Sequence, residues 1–187
     1  MIKKMVDRWV DTMIKNGADE KKRQIYAYGL ECTANEIASD ILLLSCAVIS
    51  GRVWEMVVWI IVFNLLRVNV GGFHASTPMR CIVGSTLLGI ACTNLYPYLI
   101  GRKVLENVLS VLCICIVIII SPVLNMRHPV MEHRRQIARK RAIFLTILIA
   151  GTSAFVQNRS LSAIMSVSMY SVILFAAVAY IQNRRGT

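Results

Sequence analysis

Residues 104–124 read VLENVLSVLCICIVIIISPVL, an apolar run with a single charged side chain, Glu106. An α-helix rises about 1.5 Å per residue, so roughly 20 residues cross the hydrocarbon core of a bilayer, which is about 30 Å thick. This run is therefore long enough to span a membrane as one helix.

Five further apolar runs accompany it, at about residues 33–50, 53–67, 82–100, 142–158 and 160–181. Together the runs predict an all-α polytopic membrane protein with about six transmembrane helices. The first two are the weakest, because Glu36, Asp40 and Glu55 interrupt them. They form either two full spans or a tilted or re-entrant pair that turns at Gly51-Arg52.

The composition of the whole chain excludes other classes of protein. Of its 187 residues, 56% are hydrophobic and only 17% are charged, which is not the composition of a soluble or disordered chain. Its net charge is +11. In a soluble chain this charge would suggest nucleic-acid binding, but in so apolar a chain it indicates a basic membrane protein. The six cysteines, at positions 32, 46, 81, 92, 113 and 115, lie mostly in apolar runs, so we expect most to be reduced and buried.

Lysine and arginine set the predicted orientation, because positively charged loops stay in the cytoplasm. Seventeen of the 21 such residues lie in segments 1–32, 67–81 and 125–141 and in the C-terminal tail, and four lie in the turns on the opposite side. Both termini and the 67–81 loop are therefore predicted to be cytoplasmic.

The N-terminal segment 1–30 begins with a predicted amphipathic helix, which we expect to lie on the inner membrane surface and which could help to dock an amphipathic substrate. It has no apolar core or cleavage site of a removable signal peptide. Segment 33–181 is the predicted transmembrane core of a single domain, 1–187. The apolar stripe of the helix consists of Ile2, Met5, Val6, Trp9, Val10, Met13 and Ile14.

The segment from Arg67 to Cys81, RVNVGGFHASTPMRC, carries a histidine and a cysteine at a membrane boundary. In an unbroken helix, His74 and Cys81 would lie about 10 Å apart along the axis, too far for proton transfer. Pro78 is expected to break the helix and to begin a new one, with Thr77 as its N-cap. Cys81 then lies in the first turn of that helix.

A thiolate in the first turn of a helix is stabilised by the helix dipole, and a neighbouring imidazolium would stabilise it further. Gly71-Gly72 gives the backbone the freedom to bring His74 to Cys81. This is the Cys-His arrangement of nucleophilic catalysis, with the imidazole as general base and then acid. The spacing alone leaves open a histidine at the headgroup level and a cysteine that only packs between helices.

Residues of this segment, and a short stretch just before the first span, resemble the signature of the accessory gene regulator B family. The resemblance runs from about residue 20 to the basic loop at 125–141, and the last two spans match only in hydropathy. Members are membrane cysteine endopeptidases of Gram-positive bacteria that process the precursor of a cyclic autoinducing peptide in quorum sensing. The matching residues are Tyr28-Gly29-Leu30-Glu31, Arg67, Gly71-Gly72, His74, Ala75 and Cys81.

The resemblance implies that Cys81 is the nucleophile and His74 its base, with Arg67, Gly71 and Gly72 shaping the site. Cys81 would release the acidic C-terminal tail of a prepeptide and hold the remainder as a thioester. A cysteine or serine within the substrate would then close a thiolactone or lactone.

Other roles at this site follow from residue type. Arg80, like Arg67, is expected to attract the acidic tail. Asn69 and the main-chain amide of Cys81 are candidate oxyanion donors, and Glu31 or Glu36 is a candidate to orient the histidine.

The main alternative function is a small membrane transporter or peptide exporter lined by Asp40, Glu55 and Asn64. A structural partner of a sensor kinase is a second alternative. No cofactor or metal is expected. A zinc site that joins His128 and His133 to His74 and Cys81 is a minor alternative. The expected partners are the prepeptide and the lipid bilayer.

Small residues at Ser85, Gly89, Ala150 and Gly151 favour close helix packing, either within the chain or in a homodimer.

Overall fold

The computed structural model describes residues 2–71, 78–123 and 132–185, and within these ranges the chain is helical, as predicted. The described chain contains two 3₁₀ helices, Glu20–Lys22 and Tyr96–Leu99. The α-helices are α1 (Ile2–Lys15), α2 (Arg23–Ser50), α3 (Val53–Val70), α4 (Pro78–Leu95), α5 (Lys103–Ile120), α6 (Glu132–Phe155) and α7 (Arg159–Arg185).

Five helical segments of the described chain are long and apolar enough to cross a membrane. The first two predicted runs belong to α2 and α3, which join at the predicted turn, where Gly51 adopts a positive φ of 68°. The run predicted at 142–158 is the second half of α6, whose apolar part, 142–155, covers only about 21 Å. The five segments are Glu20–Ser50, Val53–Val70, Ile82–Leu99, Lys103–Ile120 and Arg159–Arg184.

The helix α1 packs against the start of α2, which fixes it near the predicted cytoplasmic end of the bundle. Val6 and Val10 on its apolar stripe are buried, and Asp11 forms an ion pair with Arg23 at the first turn of α2. Trp9 on the same stripe stays exposed, with 63% of its surface accessible. The predicted amphipathic helix therefore exists and leaves part of its apolar stripe free.

The core of the bundle lies between α3 and α7, with α2, α4, α5 and α6 around them. On α3, Trp59 is buried and its ring stacks on Phe63 with centroids 4.4 Å apart. On α7, small side chains such as Ser162, Ser166 and Ala176 are buried, which lets the neighbouring helices approach closely.

Helices α2 and α4 run side by side in the same direction with a constant register. The hydroxyl groups of Ser39 and Ser85 lie 3.1 Å apart, and these residues are 46 positions apart in the chain. One turn further on, Gly89 lies against the side chain of Leu43, again 46 positions earlier. These contacts confirm that Ser85 and Gly89 serve close packing within the chain.

Gly89 gives a first prediction, because its missing side chain makes room for α2 and α3. A Cβ atom there would lie 2.6 Å from Cδ2 of Leu43 and 3.1 Å from the stacked ring of Trp59. We expect Gly89→Ala to lower the free energy of unfolding by about 1–3 kcal/mol, as overpacking does. Thermal unfolding in lipid nanodiscs measures this effect. Gly84→Ala, on the same helix with nothing within 4 Å, is the control and should not destabilise.

The five described cysteines are free thiols, but the prediction that most are buried was wrong. Only Cys92 and Cys113 among them are buried. Cys115 is exposed, because positions two apart on a helix point to different faces and α5 buries only one of them.

Candidate active site

The two halves of the candidate site lie on separate helices, and the first of these ends before His74 and not after it. Helix α3 ends at Val70, and α4 begins at Pro78. Cys81 is the fourth residue of α4 and lies in its first turn, next to Arg80. This part of the prediction is confirmed by the backbone.

His74 lies in the segment 72–77, which is outside the described residues, as do Gly72 and the predicted cap Thr77. The basic loop contributes His133 and several arginines to the first turns of α6, whereas His128 is again outside the described residues. Where the structure describes the chain, no three His, Cys, Asp or Glu residues come together in a group that could hold a metal ion.

Gly71 anchors the start of the histidine-bearing segment to the far end of α5. It forms an isolated parallel bridge with Val123, supported by a hydrogen bond of 2.9 Å from the Val123 amide to the carbonyl of Val70. Its φ is +77°, and a Cβ atom there would overlap the carbonyl oxygen of Val123. The predicted site-shaping role of Gly71 therefore has a physical basis: glycine alone allows this close approach.

The register of α2 and α4 determines which residues lie level with Cys81. Cys81 occupies the position one turn before Ser85, on the same face of α4. On α2, the position one turn before Ser39 is Asn35, which is again 46 residues earlier in the chain. Asn35 and Cys81 therefore occupy facing positions at the same level, one turn beyond the serine pair.

Helix α3 packs against both α2 and α4 and brings Arg67 to this level. Asn64 donates a 2.9 Å hydrogen bond to Asp40, which fixes the antiparallel register of α2 and α3. One turn from this bond, Arg67 attracts Glu36 electrostatically, and its guanidinium stacks over the ring of Phe63 at 5.3 Å. Arg67 is thus held by contacts with α2 and with its own helix, and its predicted role in shaping the site stays a prediction.

Asn69 and Glu31, two further residues predicted at the site, differ in their contacts and in their level along the bundle. The amide nitrogen of Asn69 donates to the carbonyl of Leu65 on its own helix, so one of its two N–H donors is already used. Glu31 lies on α2 one turn before Asn35, beyond the level of Cys81. The sequence pattern does not single out Asn35, because only the packing of α2 on α4 shows which face of α2 continues toward the start of α4.

Asp40 and Glu55, the carboxylates that a transport pathway would use, both have partners. Asp40 accepts from Asn64, and Glu55 accepts a 3.1 Å hydrogen bond from the hydroxyl of Tyr96. These contacts hold α2, α3 and the end of α4 together, which supports a structural role for both carboxylates.

The contact between Asn64 and Asp40 gives a second prediction. We expect Asn64→Leu to lower the free energy of unfolding by roughly 0.6–2 kcal/mol, the range for one hydrogen bond between membrane helices. Thermal unfolding in nanodiscs checks this. Asn69→Leu is the matched control and should have a smaller effect, because Asn69 bonds only its own helix. Equal effects of both variants would show that the interhelical bond contributes nothing.

Comparison with known proteins matches residues 6–181 to the model of one family, Accessory gene regulator B. The match covers the N-terminal helix, the candidate site and the last two helices, for which the sequence resemblance rested only on hydropathy. No curated protein and no solved structure matches the chain.

Proposed function

The chain belongs to the accessory gene regulator B family, and we propose that it is a membrane cysteine endopeptidase that processes the precursor of an autoinducing peptide. Membership of this family indicates that the protein takes part in the processing of an autoinducing peptide. The observation that carries the finer proposal is the new helix at Pro78, which places Cys81 in its first turn. There the helix dipole favours the thiolate form of a cysteine.

The proposed reaction begins with attack of the Cys81 thiolate on the carbonyl carbon that joins the peptide to its C-terminal tail. The new C–S bond forms, the C–N bond breaks, and the amine of the tail leaves with a proton from His74. The remaining peptide is then held as a thioester on Cys81.

The second half of the proposed reaction closes the ring. A cysteine or serine in the bound peptide attacks the thioester carbonyl and passes its proton to His74. The bond to Cys81 breaks, and the enzyme returns to its starting state. The product is a thiolactone or a lactone, according to the attacking residue.

The proposal places the site at the cytoplasmic face of the cell membrane of a Gram-positive bacterium, with both termini on that side. The distribution of positive charge supports this orientation. An acidic tail would meet a basic surface there, because the first turns of α6 carry three exposed arginines, Arg134, Arg135 and Arg139. The exposed Trp9 beside this end suits contact with the headgroup region of the lipid. A homodimer remains a prediction.

A reconstituted system tests the proposal. The protein in nanodiscs is incubated with the prepeptide encoded beside its gene, and the peptides are followed by mass spectrometry. We expect a free C-terminal tail and a cyclic product, lighter by one water than the linear fragment. The rival exporter predicts no cleavage in nanodiscs but uptake of intact prepeptide into sealed vesicles. That pair of results would overturn the proposal.

A further inference from the structure

The side chain of Asn35 has no evident role in holding the bundle together. Its oxygen Oδ1 is buried and has no hydrogen-bond partner among the described residues. Enclosing a polar atom without a partner costs stability. The residue as a whole is only half-buried, which leaves the NH₂ branch of the amide as the polar part that a bound molecule can reach.

The position of Asn35 links it to the nucleophile. Two contacts with the same 46-residue offset, Ser39 with Ser85 and Leu43 with Gly89, define the face that α2 presents to α4. Asn35 continues that face by one turn toward the start of α4, and the facing position on α4 is Cys81. Two fixed points one turn apart leave little freedom for the next turn of two parallel helices.

The proposed reaction requires a hydrogen-bond donor at this place. As the thiolate adds to the carbonyl carbon, the electron pair of the C=O bond moves to the oxygen, which becomes negatively charged. Amide N–H groups of asparagine side chains are established donors to such an oxyanion. The serine pair already bonds within itself, and Asn69 is partly engaged on its own helix.

We propose that Asn35 is a catalytic residue whose side-chain amide donates a hydrogen bond to the oxyanion formed at Cys81, an assignment that rests on the proposed function. The charged neighbours at this level include Glu36 on α2, Arg67 on α3 and Arg80 on α4. Glu36 is rotated about 100° from Asn35 around α2, toward Arg67 of α3, so it does not continue the face of Ser39 and Leu43. Arg67 attracts Glu36 and its guanidinium stacks over Phe63, so contacts with α2 and α3 already position it.

The test compares Asn35→Leu and Asn35→Asp in the full-length protein in nanodiscs. Leucine keeps the volume of the side chain and removes the donor, whereas aspartate keeps the shape and replaces the donor by a negative charge. We expect Asn35→Leu to lower kcat/KM for prepeptide cleavage about 10²–10³-fold, as loss of one oxyanion donor does. Asn35→Asp should be at least as slow, because its carboxylate repels the oxyanion.

Thermal unfolding separates catalysis from folding. Asn35→Leu should unfold at or above the wild-type temperature, since it removes an unpartnered buried oxygen. A lower unfolding temperature in step with lost activity would overturn the assignment, because it indicates a structural role. Activity restored by Asn35→Asp would also overturn it, since an acceptor would then suffice. Ser45→Ala is the control and should cleave near the wild-type rate, because Ser45 is exposed on the same helix and its hydroxyl donates to the carbonyl of Ile41.

The proposed function and this assignment fail in different ways. If the wild-type protein cleaves the prepeptide and Asn35→Leu cleaves equally fast, the assignment alone is overturned. If the wild-type protein does not cleave, the proposed function is overturned and the assignment with it.

Discussion

Cys81→Ala is expected to abolish cleavage of the prepeptide, with a fall in kcat on the order of 10⁴-fold or more, as for other enzymes that lose their nucleophile. The reason is chemical: without the thiolate there is no attacking group and no thioester, and water at the site cannot take over both steps. The bundle should remain folded, because the backbone of α4 at this position needs only a helix-forming residue, which alanine is. Peptide release followed by mass spectrometry measures the loss.

The matched control for this variant is Cys115→Ala. Cys115 is an exposed cysteine of α5, so its removal tests the general effect of losing a thiol. It should leave cleavage unchanged. Persistent cleavage in Cys81→Ala would contradict the assignment of the nucleophile, and equal losses in both variants would point to a nonspecific effect on the protein.

Gly71→Ala is expected to have the second-largest effect, on both stability and activity. Gly71 has φ 77° and ψ −176°, a conformation that is essentially restricted to glycine and costs another residue on the order of 1–3 kcal/mol. In addition, its Cβ would overlap the backbone of Val123, whose carbonyl carbon lies 2.9 Å from that atom. Backbone cannot rotate away as a side chain can. The bridge between the end of α3 and the end of α5 must therefore open, which displaces the chain three residues before His74.

Gly51→Ala is the comparison for a positive φ without an overlap, because Gly51 adopts the left-handed conformation with ψ 19° and Gly71 has ψ −176°. Gly51 also has a positive φ, 68°, but nothing lies within 4 Å of its added Cβ. Unfolding temperature and cleavage rate are measured for both variants. Gly51→Ala should lose stability from its φ alone and keep its activity, whereas Gly71→Ala should lose more stability and most of its activity. Equal behaviour would show that the Val123 contact does not shape the site.

Several features of the fold follow from local sequence. Pro78 indicates the start of a helix because it lacks an N–H group and fixes φ, and α4 does begin there. The amphipathic spacing of the first 15 residues predicts α1, and Gly51 predicts the turn between α2 and α3. Each of these signals depends on a residue and its immediate neighbours, which is why sequence alone is enough.

Other features depend on residues that are distant in the chain. The contact of Gly71 with Val123 and the register of α2 on α4 arise from packing, so no local pattern reveals them. The register also decides that Asn35, not Asn69, lies opposite Cys81. The charged side chains that weakened the first two predicted spans are compatible with long helices, because Asp40 finds Asn64 and Glu55 finds Tyr96.

The measurement that tests the central claim most directly is the intact mass of the protein during the reaction. A prepeptide whose ring-closing cysteine or serine is replaced by alanine cannot leave by cyclisation. After incubation and acid quenching, we expect the wild-type protein to gain the mass of the N-terminal fragment, bound as an acyl group at Cys81. Hydroxylamine should remove this mass, and Cys81→Ala should gain none. Release of the tail without an adduct at Cys81 would contradict the account.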